Sequence, residues 1–215
     1  MKVKVVANIL EANDRIAAGN RKKFEEAGVF VMNVMSGPGA GKTSLLERTI
    51  QELSGKIKIG VIEGDIAGAD DAERIDKLGI PVVQINTGGG CHLDANMITD
   101  VLEDLPPLKD LDLLIIENVG NLVCPAEFKL GEDMKVMLLS LAEGPDKPLK
   151  YPLMFQESSA LILNKIDLLP YTDVDIGKMK RDSLSLNPNL KIFEVSCKTG
   201  QGITEWTNWV QTLVK

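Results

Sequence analysis

The sequence has little of what several protein classes need. Its 215 residues include three cysteines and one histidine, and aromatic residues make up 4% of the chain. Three cysteines without regular spacing form no disulfide framework, which predicts a reducing compartment such as the cytoplasm. No apolar run of signal-peptide length precedes Glu11, and no segment approaches the roughly 20 apolar residues that span a bilayer. We therefore expect a cytoplasmic protein without a membrane partner.

Basic residues are also scarce relative to acidic ones. There are 24 lysines and arginines against 31 aspartates and glutamates, and the formal net charge is −7. Nucleic-acid binding depends on basic side chains that neutralise phosphates, so a nucleic-acid partner is not expected. Hydrophobic residues, in contrast, reach 44%, enough for one sizeable core. We expect a single domain over residues 1–215, with residues 1–28 as a helical extension packed on it.

Apolar segments alternate with helix-like segments along the chain. Ile9, Ile16 and Phe24 recur at helical spacing before Gly28, which predicts an N-terminal amphipathic helix over about residues 9–27. Strands alternating with helices predict an α/β fold with a mostly parallel sheet covered on both faces. Three prolines predict an irregular loop at 144–152. The predicted strands cover residues 29–34, 57–62, 81–85, 113–116, 136–141, 160–163 and 191–195.

The clearest motif follows the first predicted strand. Residues 36–43 read SGPGAGKT and lie between a strand and a helix-like segment, the order of a phosphate-binding loop (P-loop). Glycines let successive backbone N–H groups face an anion, Lys42 adds an ammonium group for the phosphates, and Thr43 offers a hydroxyl to Mg²⁺. Ser36 stands where the usual pattern has glycine. The motif predicts a P-loop NTPase whose phosphate-binding residues are Gly37, Pro38, Gly39, Ala40, Gly41, Lys42, Thr43 and Ser44.

Two later motifs indicate which base is bound. Residues 164–167, NKID, end a predicted strand and resemble the guanine-reading motif of GTPases. The Asp167 carboxylate can accept two hydrogen bonds from guanine N1 and its exocyclic amine, which adenine cannot supply. Residues 196–198, SCK, resemble the loop that covers the same base. GTP is therefore the expected nucleotide, and a nucleotide kinase is disfavoured; the expected base contacts are Asn164, Lys165, Asp167, Ser196, Cys197 and Lys198.

Two acidic residues follow central predicted strands. Asp65 and Glu117 would lie at the carboxyl edge of a parallel sheet, where they can bind Mg²⁺ with Thr43. The alternatives are a helix N-cap for Asp65 and an exposed strand end for Glu117. Gly120 could donate a backbone N–H to the γ-phosphate. The expected catalytic residues are Lys42, Thr43, Asp65 and Glu117. Slow intrinsic hydrolysis is expected because no glutamine or arginine is placed beside the γ-phosphate.

Cysteine and histidine cluster near the same predicted strands. Cys91 and His92 follow three glycines, and Cys124 follows the Glu117 segment. Thiolates and imidazoles are ligands that zinc and nickel prefer, and a set of three invites exchange or completion by a second subunit. The residue types alone leave open a glycine-rich turn with a chance Cys-His pair and a packed Cys124.

Much of the chain resembles the hydrogenase nickel-incorporation GTPases, the HypB family. The resemblance lies in residues 33–43, 63–65, 87–95, 117–125 and 147–152. It implies a GTPase that forms a nucleotide-linked homodimer and helps insert nickel into the large subunit of [NiFe]-hydrogenase, with a second maturation factor as partner. It also implies that Cys91, His92 and Cys124 bind nickel or zinc, and that Ser36 is common in this branch.

The resemblance leaves some features and alternatives open. The N-terminal nickel-binding tracts of some family members have no counterpart before Cys91, so a storage role is not expected. Lys147 and Lys150 either reach a nucleotide across a dimer or belong to a solvated loop.

A urease-type nickel-delivery GTPase would be expected to have Cys-Pro-His, but Ala126 follows Pro125. A GTPase that guards cobalamin-dependent mutases would not need the Cys-His pair. A GTP-controlled metal-binding switch with incidental turnover is the remaining alternative.

Overall fold

A seven-stranded, fully parallel sheet forms the centre of the molecule, in the strand order β3-β2-β4-β1-β5-β6-β7. The computed structural model describes residues 9–214, so the first eight residues of the expected 1–28 extension lie outside it. All seven predicted strands are confirmed, with ends that shift by a few residues. They are β1 Phe30–Ser36, β2 Ile59–Asp65, β3 Val82–Asn86, β4 Leu113–Glu117, β5 Met134–Ser140, β6 Ala160–Asn164 and β7 Lys191–Glu194.

Helices cover both faces of this sheet. They are α1 Ile9–Ala27, α2 Lys42–Leu53, α3 Asp70–Asp76, α4 Ala95–Val101, α5 Cys124–Glu127, α6 Lys147–Lys150, α7 Pro152–Gln156, α8 Ile176–Leu186 and α9 Ile203–Leu213. No helix among residues 9–214 is long and apolar enough to cross a bilayer. The irregular loop predicted at 144–152 is wrong, because α6 and the start of α7 lie there. Pro148 and Pro152 occupy first-turn positions, where a missing N–H breaks no helical hydrogen bond.

The core lies on both sides of the sheet, as expected for parallel strands that are buried on both faces. Every residue of β4 and of β6 is buried. Helices α2 and α9 contribute to one cluster, in which the Trp206 Nε1–H donates to Thr49 Oγ1 at 2.9 Å. Phe24 of α1 and Ile98 of α4 belong to a second cluster, and Phe155 of α7 belongs to a third. This packing fixes the carboxyl ends of the strands, where sheets of this kind bind their ligands.

Helix α1 has the predicted bounds, but of the predicted apolar face only Phe24 is buried. Ile9 is 79% exposed and Ile16 is 37% exposed, whereas Asn13 and Asn20 are buried. Both asparagines hold backbone groups of the domain. Asn13 accepts from Ala95 N at 2.8 Å and donates to Lys129 O at 2.8 Å, and Asn20 donates to Ala95 O at 2.8 Å and Leu130 O at 3.2 Å. The apolar pattern reveals Phe24 but not Asn13 and Asn20, which dock through amide hydrogen bonds.

We expect Asn20→Ala to lower the free energy of unfolding by about 2–4 kcal/mol, because two buried carbonyl groups lose their donor. Urea denaturation followed by circular dichroism measures the change. The control is Asn96→Ala, which removes an exposed amide and should change the stability by less than about 0.5 kcal/mol. Equal losses in the two variants would contradict the docking role of Asn20.

Candidate nucleotide and metal sites

The P-loop connects β1 to α2 at the carboxyl edge of the sheet. Gly41 has a φ of 103° and lies at the N-terminus of α2. A Cβ at this position would lie 2.6 Å from Asn164 Nδ2, so only glycine fits between the loop and β6. The Lys42 Nζ lies 3.7 Å from Glu117 Oε1. The strand, loop and helix therefore have the arrangement that the motif predicted.

A cavity of about 560 Å³ opens beside this loop. Asn164 joins its two walls: the side-chain amide donates to Ala40 O at 2.9 Å, and Oδ1 accepts from Cys197 N at 3.3 Å. Of the predicted nucleotide contacts, the lining includes Gly41, Ser44, Asn164, Lys165, Asp167, Cys197 and Lys198. The three separate motifs thus meet at one cavity.

Contacts between the motifs hold the cavity walls in place. Lys165 has a φ of 63° and donates from Nζ to Gly39 O at 2.7 Å. Asp167 Oδ1 accepts from Ser196 Oγ at 2.6 Å, which orients the carboxylate that lines the cavity. Burial raises the pKa of the Cys197 thiol to about 11, so this cysteine remains a neutral wall residue.

Sequence analysis did not identify Arg48, which also lines the cavity. Its Nε–H donates to Cys197 O at 2.8 Å and so links α2 to the loop after β7. The helical position of Arg48, one turn after Ser44, is the signal that could have placed it at the cavity.

A group of acidic side chains lies next to Thr43. It includes the expected Glu117 but not the expected Asp65. Ligand atoms of Glu63, Asp71 and Glu117 lie within 4.8 Å of one another. Thr43 Oγ1 donates to Glu117 Oε1 at 3.0 Å. Asp65 is not a member of this group; its Oδ1 accepts from Ile66 N at 2.7 Å. Sheet register explains the difference, because Glu63 is the β2 partner of Glu117.

The structure excludes the alternative structural roles of Asp65 and Glu117. Glu117 is 2% exposed, so it is not an exposed strand end. Ala69 is the N-cap of α3, so Asp65 is not. The pairing of adjacent strands would have pointed to Glu63, whereas Asp71 lies on α3, which sequence could not place over the sheet edge.

The buried carboxyls fit a divalent cation. Glu63 Oε2 and Glu117 Oε2 are buried and have no hydrogen-bond partner among the described residues. Burial, followed by the charge of Glu117, raises the pKa of Glu63. Burial also raises the pKa of Glu117, against the opposing effect of Lys42. Unpaired buried carboxylates are costly, and oxygen ligands of this kind match Mg²⁺.

Gly120 lies close to the P-loop, as the prediction of a phosphate contact requires. A Cβ added to Gly120 would lie 2.9 Å from Pro38 Cα. The segment after β4 therefore passes directly over the P-loop.

The cysteine and histidine side chains form a second cluster. Cys91 Sγ lies 2.9 Å from Cys124 Sγ and 3.6 Å from His92 Nδ1, and both thiols are free. The hydrogen bond with Cys91, and then burial, raise the pKa of Cys124, whereas burial lowers the pKa of His92. A neutral imidazole is the form that binds a metal. The three ligand atoms meet within 4.8 Å, which a chance pair with a distant packed cysteine would not do.

Two neighbours that the sequence did not reveal orient these ligands. The ring centroid of Phe128 lies 3.8 Å from that of His92. The Asn121 side-chain amide lies 3.9 Å from Cys124 Sγ. Outer contacts of this kind fix the direction of metal ligands.

The fold and these sites define a P-loop nucleotide-binding protein. Beside its nucleotide site lie Cys91, His92 and Cys124, a set of ligands for a soft metal that we call the soft-metal cluster. A domain model for the "CobW/HypB/UreG, nucleotide-binding domain" matches residues 30–194. The chain is 51% identical over 97% of its length to the hydrogenase maturation factor HypB of Rhizobium leguminosarum bv. viciae, covering 70% of that protein, and 48% identical over 98% to HypB of Escherichia coli K12, covering 72%. The chain therefore belongs to the CobW/HypB/UreG family and, within it, to the HypB hydrogenase maturation factors.

Two solved structures agree with this assignment. The crystal structure of HypB from Archaeoglobus fulgidus has a TM-score of 0.88 and 41% identity, and the match covers 94% of this chain and 98% of that one. The structure of HypB from Helicobacter pylori in complex with nickel has a TM-score of 0.88 and 40% identity, with 94% of each chain covered. The predicted fold class and family resemblance are both confirmed.

Proposed function

We propose that this chain is a metal-binding GTPase that hydrolyses GTP to GDP and assists nickel insertion into [NiFe]-hydrogenase in the cytoplasm. The observation that carries the proposal is that one chain places a nucleotide cavity and a Cys91, His92 and Cys124 cluster at the same edge of the sheet. Residues 1–215 form a single GTPase domain in this proposal, with 1–28 as its helical extension.

The nucleotide lies with its phosphates on residues 37–44 and its base against the loops after β6 and β7. Backbone N–H groups of the P-loop and the Lys42 ammonium neutralise the phosphates. Asp167, oriented by Ser196, reads guanine through its N–H groups. Asn164, Lys165, Cys197 and Lys198 complete the base site.

Magnesium, when bound, supplies positive charge to the β- and γ-phosphates. In our proposal, Thr43 and Glu117 hold it, and Glu63 and Asp71 add carboxylates that the sequence did not predict. Asp65, at the end of β2, remains a Mg²⁺ ligand in our proposal, although it lies outside this acidic group. Gly120 donates its N–H to the γ-phosphate. None of the residues that we assign to the phosphates among residues 9–214 is a glutamine or an arginine, so we expect slow turnover without a partner.

Nickel is the cargo of this protein rather than its resident cofactor, and zinc competes for the same ligands. Cys91, His92 and Cys124 bind either metal through soft or borderline donors. Three protein ligands leave a position open for release or for completion by a second copy of the chain. The solved nickel complex of a relative 40% identical to this chain supports the choice of nickel.

The expected partners are a second copy of the chain, a further hydrogenase maturation factor and the hydrogenase large subunit. Lys150 pairs with Asp146, and Lys147 Nζ lies 5.8 Å from the centroid of the Tyr151 ring. These contacts are local, so a reach of either lysine across a dimer remains part of the proposal. A urease client is the second candidate, because a relative from Helicobacter pylori with 41% identity is a "Hydrogenase/urease maturation factor HypB".

The test is complementation of a bacterial host that has lost its own relative. Wild type should restore hydrogenase activity at limiting nickel, and Lys42→Ala should not. Urease activity measured in the same host separates the two clients. GTP hydrolysis by the purified protein, alone and with the second maturation factor, separates a working GTPase from a switch with incidental turnover. Restored hydrogenase activity with the Lys42→Ala variant would refute the nucleotide-dependent function.

A further inference from the structure

A buried asparagine connects the nucleotide site to the soft-metal cluster. Asn118 directly follows Glu117 of β4 and is 0% exposed. Its Oδ1 accepts from the backbone N–H of Leu93 at 3.0 Å and of Val119 at 2.9 Å. Its side-chain amide donates to Asn33 Oδ1 at 3.2 Å. Asn33 belongs to β1, the strand that leads into the P-loop, so one carboxamide joins three separate segments.

Leu93 is the residue next to the metal ligand His92, and it is fixed on two sides. Its backbone is held by Asn118, and its fully buried side chain packs on β2. A Cβ on Gly64 would lie 2.6 Å from Leu93 Cδ1. Gly64 is the neighbour of Glu63, so Leu93 contacts β2 directly and is bound through Asn118 to the residue that follows β4. A shift of either strand end must move Leu93 or break a buried contact.

We infer that Asn118 is a positioning residue that couples nucleotide binding to the geometry of the Cys91, His92 and Cys124 cluster. When Glu117 moves to bind a cation, the next residue moves with it, and the Leu93 N–H follows the Asn118 carboxamide. His92 is thereby displaced relative to Cys124, which lies at the start of α5. The inference rests on the proposed function and adds the residue through which the two sites communicate.

Coupling of this kind must be reciprocal. If Mg²⁺ and a GTP analogue change the nickel affinity by a factor, nickel changes the affinity for the analogue by the same factor. A packed hydrogen-bonded connection is the physical basis for such coupling, and a change in the coupling factor is the observation that demonstrates it.

The experiment measures this factor in wild type and in Asn118→Ala. Nickel is titrated with and without Mg²⁺ and a non-hydrolysable GTP analogue, and the analogue is titrated with and without nickel. Wild type should show equal factors of about fivefold or more in both directions. In Asn118→Ala both ligands should still bind, with a factor within about twofold of one. A merely structural role would weaken binding but leave the factor unchanged.

Asn20→Ala is the matched control, because it removes another buried asparagine that holds the same segment, at Ala95 O, but from α1. It should keep the wild-type factor. If Asn118→Ala does not fold, Asn118→Ser, whose shorter hydroxyl cannot reach Leu93 N, takes its place. Hydrogen exchange at the Leu93 amide of wild type gives a reading that needs no variant, and the analogue should change its protection.

The outcomes separate this inference from the proposed function. Wild type that binds neither nickel nor the analogue would overturn the proposed function. Wild type that binds both with a factor of one, an Asn118 variant that keeps the full factor, or Leu93 exchange that ignores the analogue would overturn the coupling role of Asn118 alone.

Discussion

Asp167→Asn should lower the affinity for GTP by about 100-fold or more and allow xanthosine triphosphate to bind. In the proposed site the carboxylate accepts hydrogen bonds from two guanine N–H groups, and each bond to a charged partner contributes about 1.5–3 kcal/mol. An amide presents a donor to the exocyclic amine of guanine, so one attractive contact becomes repulsive. Xanthine carries a carbonyl oxygen in place of that amine and can accept the amide N–H.

The substituted side chain should keep the position of Asp167, because Ser196 and the cavity wall constrain it. Binding of fluorescent GTP and xanthosine triphosphate analogues gives both affinities. The control is Asp173→Asn, which removes the same charge from an exposed residue nearby and should leave GTP binding unchanged. Equal GTP affinity in wild type and Asp167→Asn would show that the cavity does not read guanine through this carboxylate.

The fold was predictable because its signals are local. Continuous apolar runs bounded by polar residues mark buried parallel strands, and SGPGAGKT at residues 36–43 determines which strand leads into the P-loop. The face of α1 was predictable only in part, since the apolar pattern includes the buried Phe24 but not Asn13 and Asn20, which dock through amide hydrogen bonds. The helices at 147–156 were missed because prolines were counted as breakers, although first-turn prolines are compatible with a helix.

The site residues also divide into those that the sequence could predict and those that it could not. Cys91, His92 and Cys124 are rare residue types, so their number alone made them candidates, and the fold brings them together. Glu63 and Asp71 are common residue types, and their place beside Glu117 depends on strand register and on how α3 lies over the sheet edge. Asn118 was present in the matched segment, but its function depends on a hydrogen bond to Leu93, which no local pattern encodes.

The order of residues after β4 explains how one short segment serves both sites. Glu117 points to Thr43, Gly120 lies against Pro38, and Cys124 meets Cys91. In the proposed function, a nucleotide-dependent change in this segment would act on the phosphates and on the metal ligands together, as in the two-state behaviour of GTPase switches. A metal carrier benefits from this arrangement because affinity can differ between loading and release.

Cys91→Ala should reduce nickel and zinc affinity by more than about 100-fold while nucleotide binding stays intact. Losing an outer contact to a metal ligand already costs about 10–100-fold, and this change removes one of the three ligands themselves. It leaves Cys124 and His92, two donors that cannot enclose a metal. Competition with a chromogenic chelator measures both metals.

Cys197→Ala is the matched control, since Cys197 is a free thiol with a raised pKa that lies in the nucleotide cavity instead of the cluster. It should bind nickel and zinc as tightly as wild type. A comparable loss in both variants would point to general thiol binding, and full affinity in Cys91→Ala would place the metal elsewhere. A selective loss in Cys91→Ala ties the cargo to the edge of the sheet where the nucleotide binds, because Cys91 lies only two residues before the Leu93 amide that Asn118 holds.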